Sequence, residues 1–207
     1  MAGTVVLTLI AVAALLAAEY RGSRWGVWVS KPLASSGFLA TAIVAGALHD
    51  AYGCVVVLAL CLCWLGDVLL IPKDERAFLI GVLSFLGGHL AFSSAFLIRG
   101  IDAGSAVGAL VFVAAPAGMT FAWLRPHLPA GMRRPVTAYV GVISLMVACA
   151  IGTTRARPAP SILAGALAFF LSDLSVARDR FVAPGFVNRA WGLPLYYVAQ
   201  LLLAGST

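Results

Sequence analysis

Two aspartates stand where a carboxylate is costly. Asp67 lies inside an apolar run in "CWLGDVLLIPKDER" (63–76), and Asp173 lies in a similar place in "FLSDLSVARDRF" (170–181). Asp67 precedes Lys73 by six residues and Asp173 precedes Arg178 by five. At a helical rise of 1.5 Å those offsets are about 9 Å and about 7.5 Å, so the two carboxylates are expected at similar depth. An aspartate in the middle of a membrane helix costs roughly 2.5–3.5 kcal/mol on insertion scales, and such residues mark functional sites more often than structural ones. If the two meet, they cannot both ionise cheaply. One then stays an acid and the other a carboxylate, which is the division of labour that acid/base hydrolysis uses. The plainer reading is that each aspartate is hydrogen-bonding glue between helices, or caps a broken one.

Other polar side chains in apolar surroundings extend this candidate site. Ser172 directly precedes Asp173, and His89 follows Gly87-Gly88, whose bare backbones suit close helix packing. Tyr139, Tyr196 and Tyr197 need partners for their hydroxyls, and Asn188 and Gln200 are costly unless paired. Lys31-Pro32 reads as the opening of a helix, with proline at the first helical position and lysine as an interfacial anchor. Lys31, with Arg178 or Arg134, also suits a lipid phosphate at the membrane surface. A zinc site needs three or four ligands, and His89 is the one histidine within an apolar run, so neither a metal nor another cofactor is expected. Cys54, Cys61, Cys63 and Cys149 all lie in apolar stretches and form neither a metal motif nor a disulfide framework. "GVLSFLGGH" has glycines but sits inside an apolar run, so it is no nucleotide loop.

The elements that must position these residues follow from composition. The chain is 207 residues long, 62% hydrophobic and 11% charged, with a mean hydropathy of +1.00. Soluble domains are about 25% charged, so this chain lacks the polar surface to be one. Charges and turn residues divide it into eight apolar runs, near 3–18, 32–48, 53–71, 77–98, 104–124, 134–152, 160–177 and 190–205. Most reach the roughly 17–25 residues that cross a bilayer as a helix. The expected fold is therefore all-α: one polytopic transmembrane domain over 1–207, with about eight spanning helices. The first run lacks a basic leader and reads as a retained helix rather than a signal peptide.

Charge sets the orientation. The odd-numbered connections hold Arg21, Arg24, Lys31, Lys73, Arg76, Arg125, Arg133, Arg134, Arg178, Arg180 and Arg189, and the even-numbered ones hold Arg99, Arg155 and Arg157. By the positive-inside rule the odd connections face the cytoplasm and both termini face away from it. The net charge of +6 is thus an orientation signal rather than a nucleic-acid footprint. "WLGDVLLIPKDERAF" (64–78) and "FLSDLSVARDRFVAP" (170–184) are also alike, so the chain reads as two four-helix repeats.

Five stretches together resemble the YhhN-like lysoplasmalogenase family of eight-helix membrane proteins. They are "KPL" (31–33), "LGDVLL" (65–70), "FLGGHLAF" (85–92), "GALAFFLSDLSVARDRF" (165–181) and "YYVAQLLL" (196–203). Two departures stand out: Phe92 replaces a tyrosine expected after the Gly-His pair, and Ser175-Val176 replaces a bulkier aliphatic pair. The resemblance implies hydrolysis of the vinyl ether bond of a lysoplasmalogen, giving a fatty aldehyde and a glycerophospho-ethanolamine or -choline. It implies Asp67 and Asp173 as the catalytic pair, in either order of roles. Lys31, His89, Tyr139, Ser172, Arg178, Asn188, Tyr197 and Gln200 are the expected substrate contacts. The expected partners are the lysophospholipid and membrane lipid, and the expected location is the cytoplasmic membrane of a bacterium. Two other functions would use the same pair: a proton-coupled transporter or channel with an aspartate relay, and an intramembrane aspartyl protease.

Overall fold

The computed structural model describes residues 1–72 and 74–207; Lys73, counted above among the orienting charges, lies outside the described residues. Its elements are eight long α-helices: α1 (Ala2–Tyr20), α2 (Arg24–Ala45), α3 (Ala51–Leu69), α4 (Glu75–Arg99), α5 (Ala103–Leu124), α6 (Arg133–Ala156), α7 (Pro160–Ala177) and α8 (Phe186–Ala204). Short 3-10 turns stand in the α2–α3 and α5–α6 connections, and a π-helical turn, Arg178–Val182, continues α7. Among the described residues, seven helical runs are long and apolar enough to cross a membrane. α8 is as long as α1 and α3, but Asn188, Arg189 and Gln200 make it less apolar. The expected all-α membrane bundle is what the chain forms.

Acidic residues start several of these helices. Asp50 accepts a hydrogen bond from the Gly53 backbone N–H at 2.7 Å, Asp74 from Ala77 at 2.8 Å and Asp102 from Ser105 at 2.7 Å. Each satisfies a donor that the first helical turn leaves without a partner. α2 instead starts at a Ser23 cap, eight residues before the start expected at residue 32. Arg24, Ser30 and Lys31 made this stretch look like a connection, and Pro32 is not at the first helical position but inside the helix. Lys31 is accordingly carried into the bundle rather than held at its edge.

Sequential helices pack as hairpins, α1 on α2, α3 on α4, α5 on α6 and α7 on α8. Aromatic rings fill the centre: Phe38, Phe92, Phe96, Phe169 and Tyr197 are fully buried. α5 packs chiefly on α6 and turns Val107, Val111, Phe112 and Met119 outward, as a lipid-facing helix does. Two glycines let α4 press on α3. A Cβ on Gly88 would fall 2.9 Å from Cys63 Sγ, and one on Gly66 would fall 2.6 Å from a ring carbon of Phe85. This close approach brings α4 up against the stretch that carries Asp67.

Asp50→Ala removes the α3 cap without touching the interior. It should lower stability by about 1 kcal/mol, read as a lower midpoint of thermal unfolding in detergent.

Candidate active site

Of the eight acidic residues, three cap helices, and Glu75 sits in the first turn of α4. Glu19 and Asp179 both pair with Arg189, at 2.9 Å and 3.1 Å. That leaves Asp67 and Asp173, each near the C-terminal end of its helix: Asp67 is two residues before Leu69, and Asp173 four before Ala177.

Asp67 is gripped on both oxygens. Lys31 Nζ lies 3.4 Å from Oδ1, while Ser35 and Tyr196 each donate to Oδ2 at 2.7 Å. Lys31 and Ser35 are four apart on α2 and so share a face, and the Ser35 hydroxyl also bonds the Lys31 carbonyl at 3.0 Å. Tyr197 joins the cluster through the Ser35 hydroxyl at 3.1 Å and the Lys31 carbonyl at 3.3 Å. A carboxylate that receives an ammonium and two hydroxyls has no role left as a donor, which is the pattern of an ionised group.

Asp173 is held differently. Its Oδ2 accepts from the Tyr139 hydroxyl at 2.8 Å and lies 3.2 Å from His89 Nε2. Tyr139 and His89 are 2.9 Å apart, so the three groups close a triangle. The other His89 nitrogen faces Met146 Sδ at 3.3 Å, a weak acceptor. No lysine or arginine pairs with Asp173 among the described residues, and its side chain is 18% exposed against 3% for Asp67.

Both carboxylates line one cavity of about 600 Å³. Its walls come from the C-terminal ends of α3, α5 and α7 and the N-terminal ends of α2, α4, α6 and α8. It therefore lies at the end of the bundle that carries the odd-numbered connections. Val27, Val82, Phe85, Val136, Ile143 and Leu193 give it apolar walls, and Glu19, Arg24, Asp179, Arg180 and Arg189 give it a charged rim. That volume is within the range of small-molecule sites, and a mostly apolar lining with a few convergent polar groups is their usual character.

Six of the ten residues singled out in the sequence line this cavity: Lys31, Asp67, Tyr139, Ser172, Asp173 and Asn188. His89 lies behind Asp173, fully buried, and Tyr197 lies behind Lys31. Arg178 turns to the Asn188 side-chain oxygen. Asn188 in turn donates to Asp179 at 3.1 Å and to the Ala183 carbonyl at 2.7 Å. Ser172 bonds the Phe169 carbonyl at 2.8 Å. Gln200 is fully buried, and neither side-chain atom has a hydrogen-bond partner among the described residues. Lys31 was expected to meet a lipid phosphate at the surface; its ammonium is turned inward to Asp67 instead, because α2 begins earlier than its charges suggest. Ser35 and Phe85 were missed, although spacing held the signal: Ser35 is one turn after Lys31, and Phe85 one turn before His89. Among the described residues, no group of three or more His, Cys, Asp or Glu side chains is arranged to hold a metal ion.

The model of the YhhN family matches residues 26–207. The chain is 33% identical over 148 residues to lysoplasmalogenase TMEM86A of Bos taurus, which covers 69% of this chain and 60% of that protein. Its identity to TMEM86A of Homo sapiens is 33% over 147 residues, 68% of this chain and 60% of the other. A lysoplasmalogenase of Mycobacterium bovis is 31% identical over 159 residues, 73% of this chain and 59% of that one. The chain thus spans about 60% of the length of the curated relatives it matches. No solved structure matches it.

Lys31→Met should leave the Asp67 carboxylate buried without its cation. Breaking one side of a buried pair costs about 3–5 kcal/mol. Thermal unfolding should show that loss, and the double variant K31M/D67N, which removes both charges, should recover part of it.

Proposed function

Since the chain belongs to the YhhN family, we propose that it is a membrane-embedded ether hydrolase that cleaves the vinyl ether bond of a lysoplasmalogen. Its relatives named lysoplasmalogenases support that substrate. The observation that carries the mechanism is the pair of unlike carboxylates on one cavity. Asp67 is fixed by an ammonium and two hydroxyls, and Asp173 is more exposed and, among the described residues, has His89 but no lysine or arginine beside it.

Asp173 serves as the acid. Its proton goes to the β-carbon of the vinyl ether, the alkene π pair forms the new C–H bond, and positive charge is left shared between the α-carbon and the ether oxygen. Water adds to the α-carbon and gives a proton to the Asp67 carboxylate, forming a hemiacetal. Asp173, now a carboxylate, takes the hemiacetal hydroxyl proton as the C–O bond to glycerol breaks. The departing glycerol oxygen takes its proton from Asp67. Both side chains end as they began, and one water has been consumed to give an aldehyde and a glycerophospho-alcohol. The same division between two carboxyl groups runs glycoside hydrolysis through a similar cation. A single lipid tail fits along the apolar wall, with the headgroup at the rim where Arg24 and Arg180 stand.

A proton-coupled carrier would use the same pair as a relay. The cavity is lined from one end of the bundle, as a site that a lipid enters from one membrane surface would be, and the lysoplasmalogenases among its relatives favour the hydrolase reading. The location we propose is a bacterial cytoplasmic membrane.

Purified protein should release fatty aldehyde from a lysoplasmalogen. Asp67→Asn and Asp173→Asn should each lower kcat by at least about a hundredfold, the lower end of what acid/base groups contribute. Full activity in either variant would overturn the assignment.

A further inference from the structure

Phe85 belongs to neither carboxylate's hydrogen-bond set, yet it adjoins both clusters. It lines the cavity and is 7% exposed. On one side its ring stands 5.9 Å from that of Tyr196, the donor to Asp67. On the other it stands 6.4 Å from Phe169, which lies 4.3 Å from the His89 ring and one turn before Asp173. Its position depends on Gly66, the residue before Asp67. A Cβ there would fall 2.6, 2.7 and 2.9 Å from ring carbons Cε2, Cδ2 and Cζ. Three adjacent ring carbons at nearly equal distance mean that α3 meets a face of the ring, held flat between the two clusters.

The reaction proposed above makes a cation in this cavity, and its fixed charges answer that cation weakly. The Asp67 carboxylate is balanced by Lys31 at 3.4 Å. The Asp173 carboxylate that appears on proton transfer is hydrogen-bonded by Tyr139, with His89 at 3.2 Å. An aromatic ring offers negative potential with no counter-ion of its own, and attracts a cation within about 6 Å of its centroid, most strongly where water is excluded. We propose that Phe85 is a further catalytic residue, whose π electrons stabilise the oxocarbenium ion formed when Asp173 protonates the vinyl ether. This rests on the vinyl ether reading and adds to it the group that meets the developing charge.

The test measures aldehyde release by the full chain, with a lysoplasmalogen as the probe. Phe85→Leu keeps apolar bulk and removes the ring; kcat should fall about tenfold with KM nearly unchanged, in line with a desolvated cation–π contact. Because that variant also changes the packing, phenylalanines bearing one, two and three ring fluorines are placed at position 85. They keep the ring's shape and withdraw its π charge, so log kcat should fall step by step with fluorine number. An active wild type whose kcat is flat across the fluorine series overturns the proposal and leaves the hydrolase reading standing. So does a series in which KM alone rises, which would assign Phe85 to holding the lipid tail. A wild type that releases no aldehyde overturns the hydrolase reading and this proposal together.

Discussion

Lys31 Nζ lies 3.4 Å from Asp67 Oδ1, and these two are the only lysine, arginine, aspartate or glutamate residues among the described ones that are buried. Neither would be tolerated alone. An unpaired ion away from water loses several kcal/mol of solvation, and a neighbour of opposite sign repays it only when further hydrogen bonds complete the shell. Ser35 and Tyr196 complete it here. The pair also ties α2 to α3, while Tyr196 ties α8 to α3 and Tyr197 ties it to α2, so the geometry of the cavity floor is organised around one electrostatic contact. A hydrophobic substitute of similar volume would pack as well and do no chemistry, which is the physical reason to read the pair as retained for function.

The second carboxylate is built on the opposite plan. Among the described residues Asp173 has aromatic and imidazole neighbours and no lysine or arginine, and it keeps a face to the cavity. The contrast between the two sites follows from which helices meet them. α2 brings Lys31 to Asp67, whereas α4 and α6 bring His89 and Tyr139 to Asp173. Close packing of α4 on α3, allowed by Gly66 and Gly88, then sets Phe85 and His89 one turn apart on the α4 face that looks toward both. Two chemically identical side chains thus differ through their neighbours, as the division into acid and base requires.

Much of this was legible in the sequence because the membrane makes composition informative. Eight apolar runs became eight long helices, and the two intramembrane aspartates line one cavity. What was not legible is instructive. The start of α2 was placed late because Arg24 and Lys31 look like a connection when read as isolated charges; a charge whose partner lies 36 residues away cannot be recognised as paired by local reading. Ser35 and Phe85 were missed for a related reason. Neither residue type signals chemistry alone, and each matters only through a helix that packs beside it. Lys31 was expected at the lipid surface; because α2 starts at Arg24, it stands about two turns inside the helix, where its ammonium pairs with Asp67. Gln200 remains without a partner among the described residues, and the structure offers no account of it.

The rim and the floor of the cavity have different origins in the chain. Among the described residues, every hydrogen-bond or ion-pair partner of either carboxylate, Lys31, Ser35, Tyr196, His89 and Tyr139, falls within the part matched by the family, residues 26–207. The rim does not. Arg189 is held between Asp179 and Glu19, and Glu19 belongs to α1, which lies outside that match. Glu19 and Asp179 hold the Arg189 guanidinium in place, so α1 helps to set where positive charge stands at the entrance. The shared part of the chain therefore holds the two carboxylates and their partners, while the charge at the cavity mouth is partly set by a segment outside it. Similarity to the relatives thus speaks more directly to the arrangement on the floor than to the charge at the rim.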